Sequence, residues 1–523
     1  MKNPVFLVIS ITCFITSLRC QEITFSQPLD PDILFYNVIC KHDGLLLTYN
    51  IVSGAKNGIT HQVYMYDDKM NVVKKTVLPL PGNIYGLQFL IYPDFFYIFY
   101  QRQQSNIVYL EAAKIGMDGT LLGNIKELDE TIAPFTSRSS KIYTILNSEN
   151  KKQITAFKIN NRNWDTAFIT ILLFDEELSL KHSSELHAPL ISDKEFFTEF
   201  NVDNDGDFMF IRNFDDDDNA TAAGKTVLII KKALSDSVYF TNIIPADIRV
   251  NDIHLKIDNL NKKYILTAFY TIDHKDRRNT DGLYCFVWDK ANKLIVTGRK
   301  MVLDDSLRKA IHQRGPLKEA FNNFSVQNIT LRKDGGFIID AGCFDVFIPG
   351  MNYSVWQQQR YAAKWNQANY YTHRLPGGYI FYVPNSHFPW NDWYGINSRF
   401  VNFTGENLAA FSFGPAANTE WTRLLPFSQL HNKSSYIGYT AFNIHNSIHY
   451  LFNQIVKKNT SLSAPTLGAS GEMDEIMIKD ADRIIADRIR FIPRVAVQLN
   501  DREVILTCEI REKTCLAKIV FSR

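Results

Sequence analysis

The chain has 523 residues, with 57 basic and 55 acidic side chains, and 46% of its residues are hydrophobic. That length holds either several ordinary domains or one large repeat fold, and the apolar content excludes a disordered chain. The near-neutral balance leaves no global field to draw in nucleic acid or an anionic membrane, so neither is an expected partner.

The chain opens with Met1-Lys2, an apolar run from Val5 to Leu18, and then Arg19, Cys20 and polar Gln21-Glu22. This is the layout of a secretory signal, too short for an ordinary spanning helix. Residues 1–20 are therefore expected to be removed, leaving 21–523 as an exported chain that is periplasmic, outer-membrane-associated or extracellular. Removing Lys2 and Arg19 balances that chain at 55 basic against 55 acidic residues. A lipid anchor on Cys20 fits less well, because Arg19 stands where a small residue is wanted. No later segment has the uninterrupted apolar length of a membrane helix. Five cysteines follow the signal, too few to hold so long a chain together. In ILTCEIREKTCLAKIVF, a hairpin turning at Arg511-Glu512 sets Cys508 opposite Cys515, as a disulfide or as two buried thiols.

From Gln21 onward the pattern is strand, turn, strand. Asp-Gly turns precede apolar or alternating runs: Asp43-Gly44 before LLLTYN, Asp118-Gly119 before TLLGN, and Asp205-Gly206 before DFMFIR. Asp281-Gly282 before LYCFVW and Asp334-Gly335 before GFIIDAG continue the series. Asp-Gly supports the positive backbone angles of tight hairpin turns, and the β-branched and aromatic runs suit strands. Further strand starts without Asp-Gly follow Pro93-Asp94, Lys151-Lys152, Lys262-Lys263, Asn446-Ser447 and Asp501-Arg502. Anchors recur at roughly fifty to sixty residues, the sequence signature of propeller blades. The expected fold is all-β: one β-propeller of about seven or eight degenerate four-stranded blades over 21–523, closed by strands from both chain ends. A helix is expected within Ser306–Asn322, broken at Gly315-Pro316. An aromatic-rich insertion occupies about 343–400.

Three stretches resemble a known group: FSVQNITLRKDGGFIIDAG, the run FPWNDWYGINSRF followed by NTEWTRLLPFSQ, and the closing FIPRVAVQLNDREVIL. They are similar to large exported proteins of Bacteroidota-type bacteria that are predicted to be propellers. The resemblance covers the last two hundred residues or so well and the rest only in style. It implies fold and export. That group has no established activity and supplies no catalytic residues to carry over.

Two motifs offer chemistry. Asn201 to Asp207 places Asp203, Asp205 and Asp207 alternately around a glycine turn, the oxygen pattern of a calcium loop. The twelfth ligand of an EF-hand is missing, since Arg212 stands there and a strand follows, so a plain Asp/Asn turn competes with the metal reading. His445 and His449 have the spacing of a zinc-protease helix, but Asn446 replaces the glutamate base and the flanks read as strands. No cofactor is otherwise expected.

Five of the seven tryptophans fall between Tyr353 and Trp421. Trp356, Trp365, Trp390 and Trp393, with Tyr394 and neighbouring amides and carboxylates, have the composition of a sugar or peptide platform. The same rings can instead form a small core of their own. The sequence therefore favours an exported, non-catalytic propeller, monomeric, that binds a protein, peptide or glycan. The alternative is a propeller hydrolase or lyase using carboxylates at its central channel. Acids or histidines gathered around that channel would favour the enzyme.

Overall fold

The computed structural model describes residues 20–54, 58–132, 142–163, 166–189, 195–214, 226–272, 279–311, 316–322, 324–347, 402–431, 434–456, 459–475, 477–478 and 488–521. Eight sheets follow one another along them, six of four antiparallel strands and two, blades 7 and 8, of five. Blades 1 to 7 occupy 33–78, 85–132, 143–189, 195–242, 249–302, 324–431 and 439–475. Blade 8 takes three strands from the end of the chain, Arg490–Gln498, Glu503–Ile510 and Lys513–Val520. Its fourth is the N-terminal strand Cys20–Phe25, paired as Glu22↔Val520 through Phe25↔Ala517. Met477–Ile478 then lies parallel to Cys20 and Gln21 on the outer edge. Both chain ends meet in one blade, as expected. Removal of residues 1–20 keeps the antiparallel part of the closing strand, which begins at Glu22.

Eight buried apolar clusters occupy the blade interfaces, one at each. The cluster of Val38, Leu46, Tyr64 and Tyr66 with Ile505 and Leu516 seals blade 1 to blade 8. That of Tyr49, Phe96, Ile98 and Tyr100 joins blades 1 and 2, and the others follow around the ring. Each blade alternates side chains to its two faces, so neither face is covered until a neighbour packs on it. Closure buries all of these faces and leaves no terminal blade exposed. Polar contacts reinforce the seam between blades 8 and 1. Lys41 pairs with Glu503 at 2.9 Å and with Asp68 at 2.8 Å, and the Tyr36 hydroxyl meets Thr507 Oγ1 at 2.6 Å.

Strand number per blade decides where the connections go. With four antiparallel strands, every blade begins and ends on the same side of the disc. First-to-second and third-to-fourth turns lie on one side, here the turn face. Second-to-third and blade-to-blade links lie on the other, the loop face. No link on the turn face exceeds the nine residues 117–125. The loop face receives 21 residues between blades 5 and 6, and 54 between Phe347 and Asn402. The link of 303–323 carries the expected helix, Asp305–Ile311, and a 3-10 turn at Leu317–Glu319. Arg308 fastens it by donating to the carbonyls of Leu303, Lys318 and Thr280 at 2.6–2.8 Å.

The structure corrects some local expectations. TLLGN after Gly119 forms only an isolated bridge, Leu121 to Ile115, within the link to Lys126–Ile132. Asp281-Gly282 lies on the loop face, where Asp281 accepts from the Ile272 amide at 2.7 Å. The strands flanking the aromatic insertion stay paired to Phe347↔Asn402, which leaves residues 348–401 between them. His445 and Asn446, at φ 49° and 67°, are the two central residues of a hairpin turn, which rules out the zinc-helix geometry. Cys508 does face Cys515 in the ladder, and both are buried thiols.

Candidate functional site

The first strands of the blades line the channel, and three of them share one irregularity. Register shifts fall between Tyr85 and Gln88 in blade 2, Thr198 and Asn201 in blade 4, and Asn251 and His254 in blade 5. Each bulge contains a residue in the left-handed region: Gly86 at φ 65°, Glu199 at 57° and Asp252 at 54°. Glycine adopts this at little cost, whereas Glu and Asp do not. The bulge re-aims a side chain out of its own sheet. Gln88 donates to Ile145 O at 2.9 Å and accepts from Ile145 N at 2.8 Å, bridging blades 2 and 3. Glu199 Oε2 accepts from Leu255 N at 2.8 Å, and Asp252 Oδ2 from Val326 N at 2.5 Å. Neighbouring first strands share no ladder, so these side chains replace one.

His254 sits between the two carboxylates. Its Nε2 is 3.0 Å from Asp252 Oδ1, and its Nδ1 is 3.8 Å from Glu199 Oε1. Burial works against a charged ring here. The charge and hydrogen bond of Asp252, with the charge of Glu199, outweigh it and carry the imidazole up to about 9. The ring is therefore a cation at neutral pH and cannot act as a general base there. Each carboxylate gives one oxygen to a backbone amide and turns the other toward the ring. Sequence reasoning missed this triad. The only local trace is a pair of polar residues two apart, Glu199-x-Asn201 and Asp252-x-His254, in strands that carry other polar residues as well.

On the turn face, the Asp203–Asp207 turn joins Glu195–Val202 to Phe208–Phe214. Asp203 Oδ1 accepts from the amides of Asp205 and Asp207 at 2.9 and 3.0 Å. Gly206 takes φ +87°, and a Cβ there would lie 3.2 Å from that of Ala233. Asn204 links the turn sideways: its amide donates to Asn259 Oδ1 at 2.9 Å, and its own Oδ1 accepts from Asn150 N at 3.0 Å. The three acids do converge, but on lysines: Lys290 meets all three, and Lys232 pairs with Asp207. No group of three or more His, Cys, Asp or Glu side chains suited to a metal occurs among the described residues.

Trp356, Trp365, Trp390, Trp393 and Tyr394 lie outside the described residues. Trp421, the fifth tryptophan of that stretch, is structural. Its Nε1 donates to Ala469 O at 3.2 Å, and its ring covers Gly471, joining blades 6 and 7.

No family model matches the chain, and no curated protein does. Among solved structures, it is similar to the WD40 domain of SCAP from fission yeast at 9% identity, over 96% of this chain and 98% of that one, with a TM-score of 0.38. A prolyl endopeptidase is similar at 9% identity over 94% of this chain and 55% of its own, with a TM-score of 0.39. The β-propeller domain of the Trilobed protease from Pyrococcus furiosus is similar at 9% identity over 87% and 98%, with a TM-score of 0.35. At these levels the likeness bears on no activity, and the propeller assignment rests on the strand order and the eight interface clusters. No helix among the described residues is long and apolar enough to cross a membrane.

Proposed function

We propose that this chain is an exported, non-catalytic β-propeller that binds a protein, peptide or glycan partner through its loop face. The supporting observation is the pairing of Phe347 with Asn402. It makes both ends of the 54-residue aromatic segment open side by side on the face that carries every long link. A rigid ring presenting long loops on one side suits binding. Trp356, Trp365, Trp390, Trp393 and Tyr394 are the proposed contact residues, as flat apolar faces with polar neighbours to orient a ligand. Export follows from the N-terminal layout, and protein from the native host should begin at Gln21 or within a few positions.

The test is a Trp390→Ala/Trp393→Ala double variant, screened with wild type on printed glycan and peptide arrays. Lost capture at an unchanged melting temperature is expected. Unchanged capture, or a large fall in melting temperature of the kind that follows truncation of core aromatics, overturns the reading. The enzymatic alternative draws on Glu199, Asp252 and His254, a gathering of acids and a histidine at the channel of the kind that favours an enzyme. The commitments of the two carboxylates to backbone amides and to His254 favour a stitching role, and hydrolysis of an arrayed ligand that is lost in Glu199→Gln would restore the alternative.

A further inference from the structure

The Asp203–Asp207 turn is a motif that the binding reading leaves unused, and the structure shows what fills it. Lys290 arrives from the link after Gly282–Asp289, 87 residues beyond Asp203. Its Nζ lies 2.5 Å from Asp203 Oδ2, 2.6 Å from Asp205 Oδ2 and 3.1 Å from Asp207 Oδ2. An ammonium from another blade thus stands where three carboxylate oxygens of an alternating-acid turn would hold a hard cation.

The rest of the pocket is built without Lys290. Asp203 and Asp207 are each 2% exposed. The second oxygen of Asp203 is held by two turn amides, and that of Asp207 by Ala233 N at 3.0 Å. The buried Tyr264 hydroxyl donates to Asp203 Oδ2 at 2.6 Å. Lys232, paired with Asp207, is the other cation in contact. Three carboxylates against two ammoniums leave a formal charge of −1, and loss of Lys290 makes it −2, which one divalent ion balances.

We propose that Lys290 is the resident cation of a calcium-type turn, and that removing its charge opens the turn to a divalent cation. The built-in ammonium does what a bound ion does elsewhere: it offsets part of the turn's negative charge and ties blade 4 to blade 5. Three monodentate carboxylates with water completing the shell suit a weak site, with a dissociation constant of about 0.1–1 mM.

Lys290→Met, Lys290→Arg and wild type are titrated with calcium chloride by calorimetry and melted in 5 mM calcium (roughly five or more times that constant) or in chelator. Lys290→Met should bind calcium and melt higher in it, while wild type and Lys290→Arg show neither effect. Adding Asp205→Asn to Lys290→Met should abolish the response. A Lys290→Met chain that folds only in calcium supports the proposal as well. A Lys290→Met chain indifferent to calcium, or unfolded in both media, overturns it. So does calcium binding to wild type.

Discussion

Replacing His254 with glutamine should change how the stability of the ring depends on pH. Glutamine already serves at the equivalent position of blade 2, where Gln88 bridges to Ile145, so the variant keeps hydrogen bonding and loses only the charge. In the folded chain His254 titrates at about 9, against 6.5 for a free imidazole. A folded value above the unfolded one means that the charged ring stabilises the fold fully below pH 6.5, and that this contribution disappears as pH rises through 9. At about 1.4 kcal/mol per pH unit, the contribution is roughly 3 kcal/mol. The assay is urea unfolding of wild type and His254→Gln from pH 6 to pH 10. The gap between them should be widest at pH 6 and shrink by roughly 3 kcal/mol by pH 10. Other titrating groups are common to both proteins and cancel in the difference. Parallel curves across the range would refute the triad as an electrostatic stitch.

Asp340 is fully buried between blades 6 and 7, and burial pushes its carboxyl up to about 7 despite hydrogen bonds from Tyr450 and Asn328. An acid raised in the fold costs stability as pH climbs from 3.8 through 7, so Asp340→Asn should raise the urea midpoint over wild type at pH 8 and not at pH 3.5. Equal midpoints at pH 8 would contradict this. A chain starting at Glu22 should melt like one starting at Gln21. A chain starting at Gln27 loses the closing strand, including the buried Ile23 and the 2.8 Å bond from Ser26 N to Leu516 O, and should lose its cooperative melting transition.

The turns were legible because Asp-Gly at 43–44, 205–206 and 334–335 states a backbone angle directly, and the apolar runs beside them state a strand. Facing of Cys508 and Cys515 followed from a two-residue turn, which sets register by counting. The blade count stayed at seven or eight because the 54-residue insertion breaks the spacing within blade 6. Asp281-Gly282 misled for a related reason: the dipeptide states a turn, not which face of a disc it lies on. The channel triad was illegible, since Glu199 and Asp252 adopt the left-handed region without a glycine to announce it. Its third member, His254, owes its charge first to Asp252, two residues away, and further to Glu199, which lies in another blade. Lys290 is likewise tied to Asp203 only through the packing of blade 4 against blade 5. The alternating acids signalled a need for positive charge, and nothing local showed that the chain supplies its own.

The division of the disc into a turn face and a loop face is the claim on which the function rests, and amide hydrogen exchange tests it most directly. A ligand captured from the arrays is added to the whole protein, and exchange is compared with and without it. Slowed exchange confined to loop-face links, above all 348–401 with 215–226 or 303–323, is the predicted result. Protection centred on the turn-face segments 43–44, 203–207 and 332–336, with the loop-face links unchanged, would contradict it.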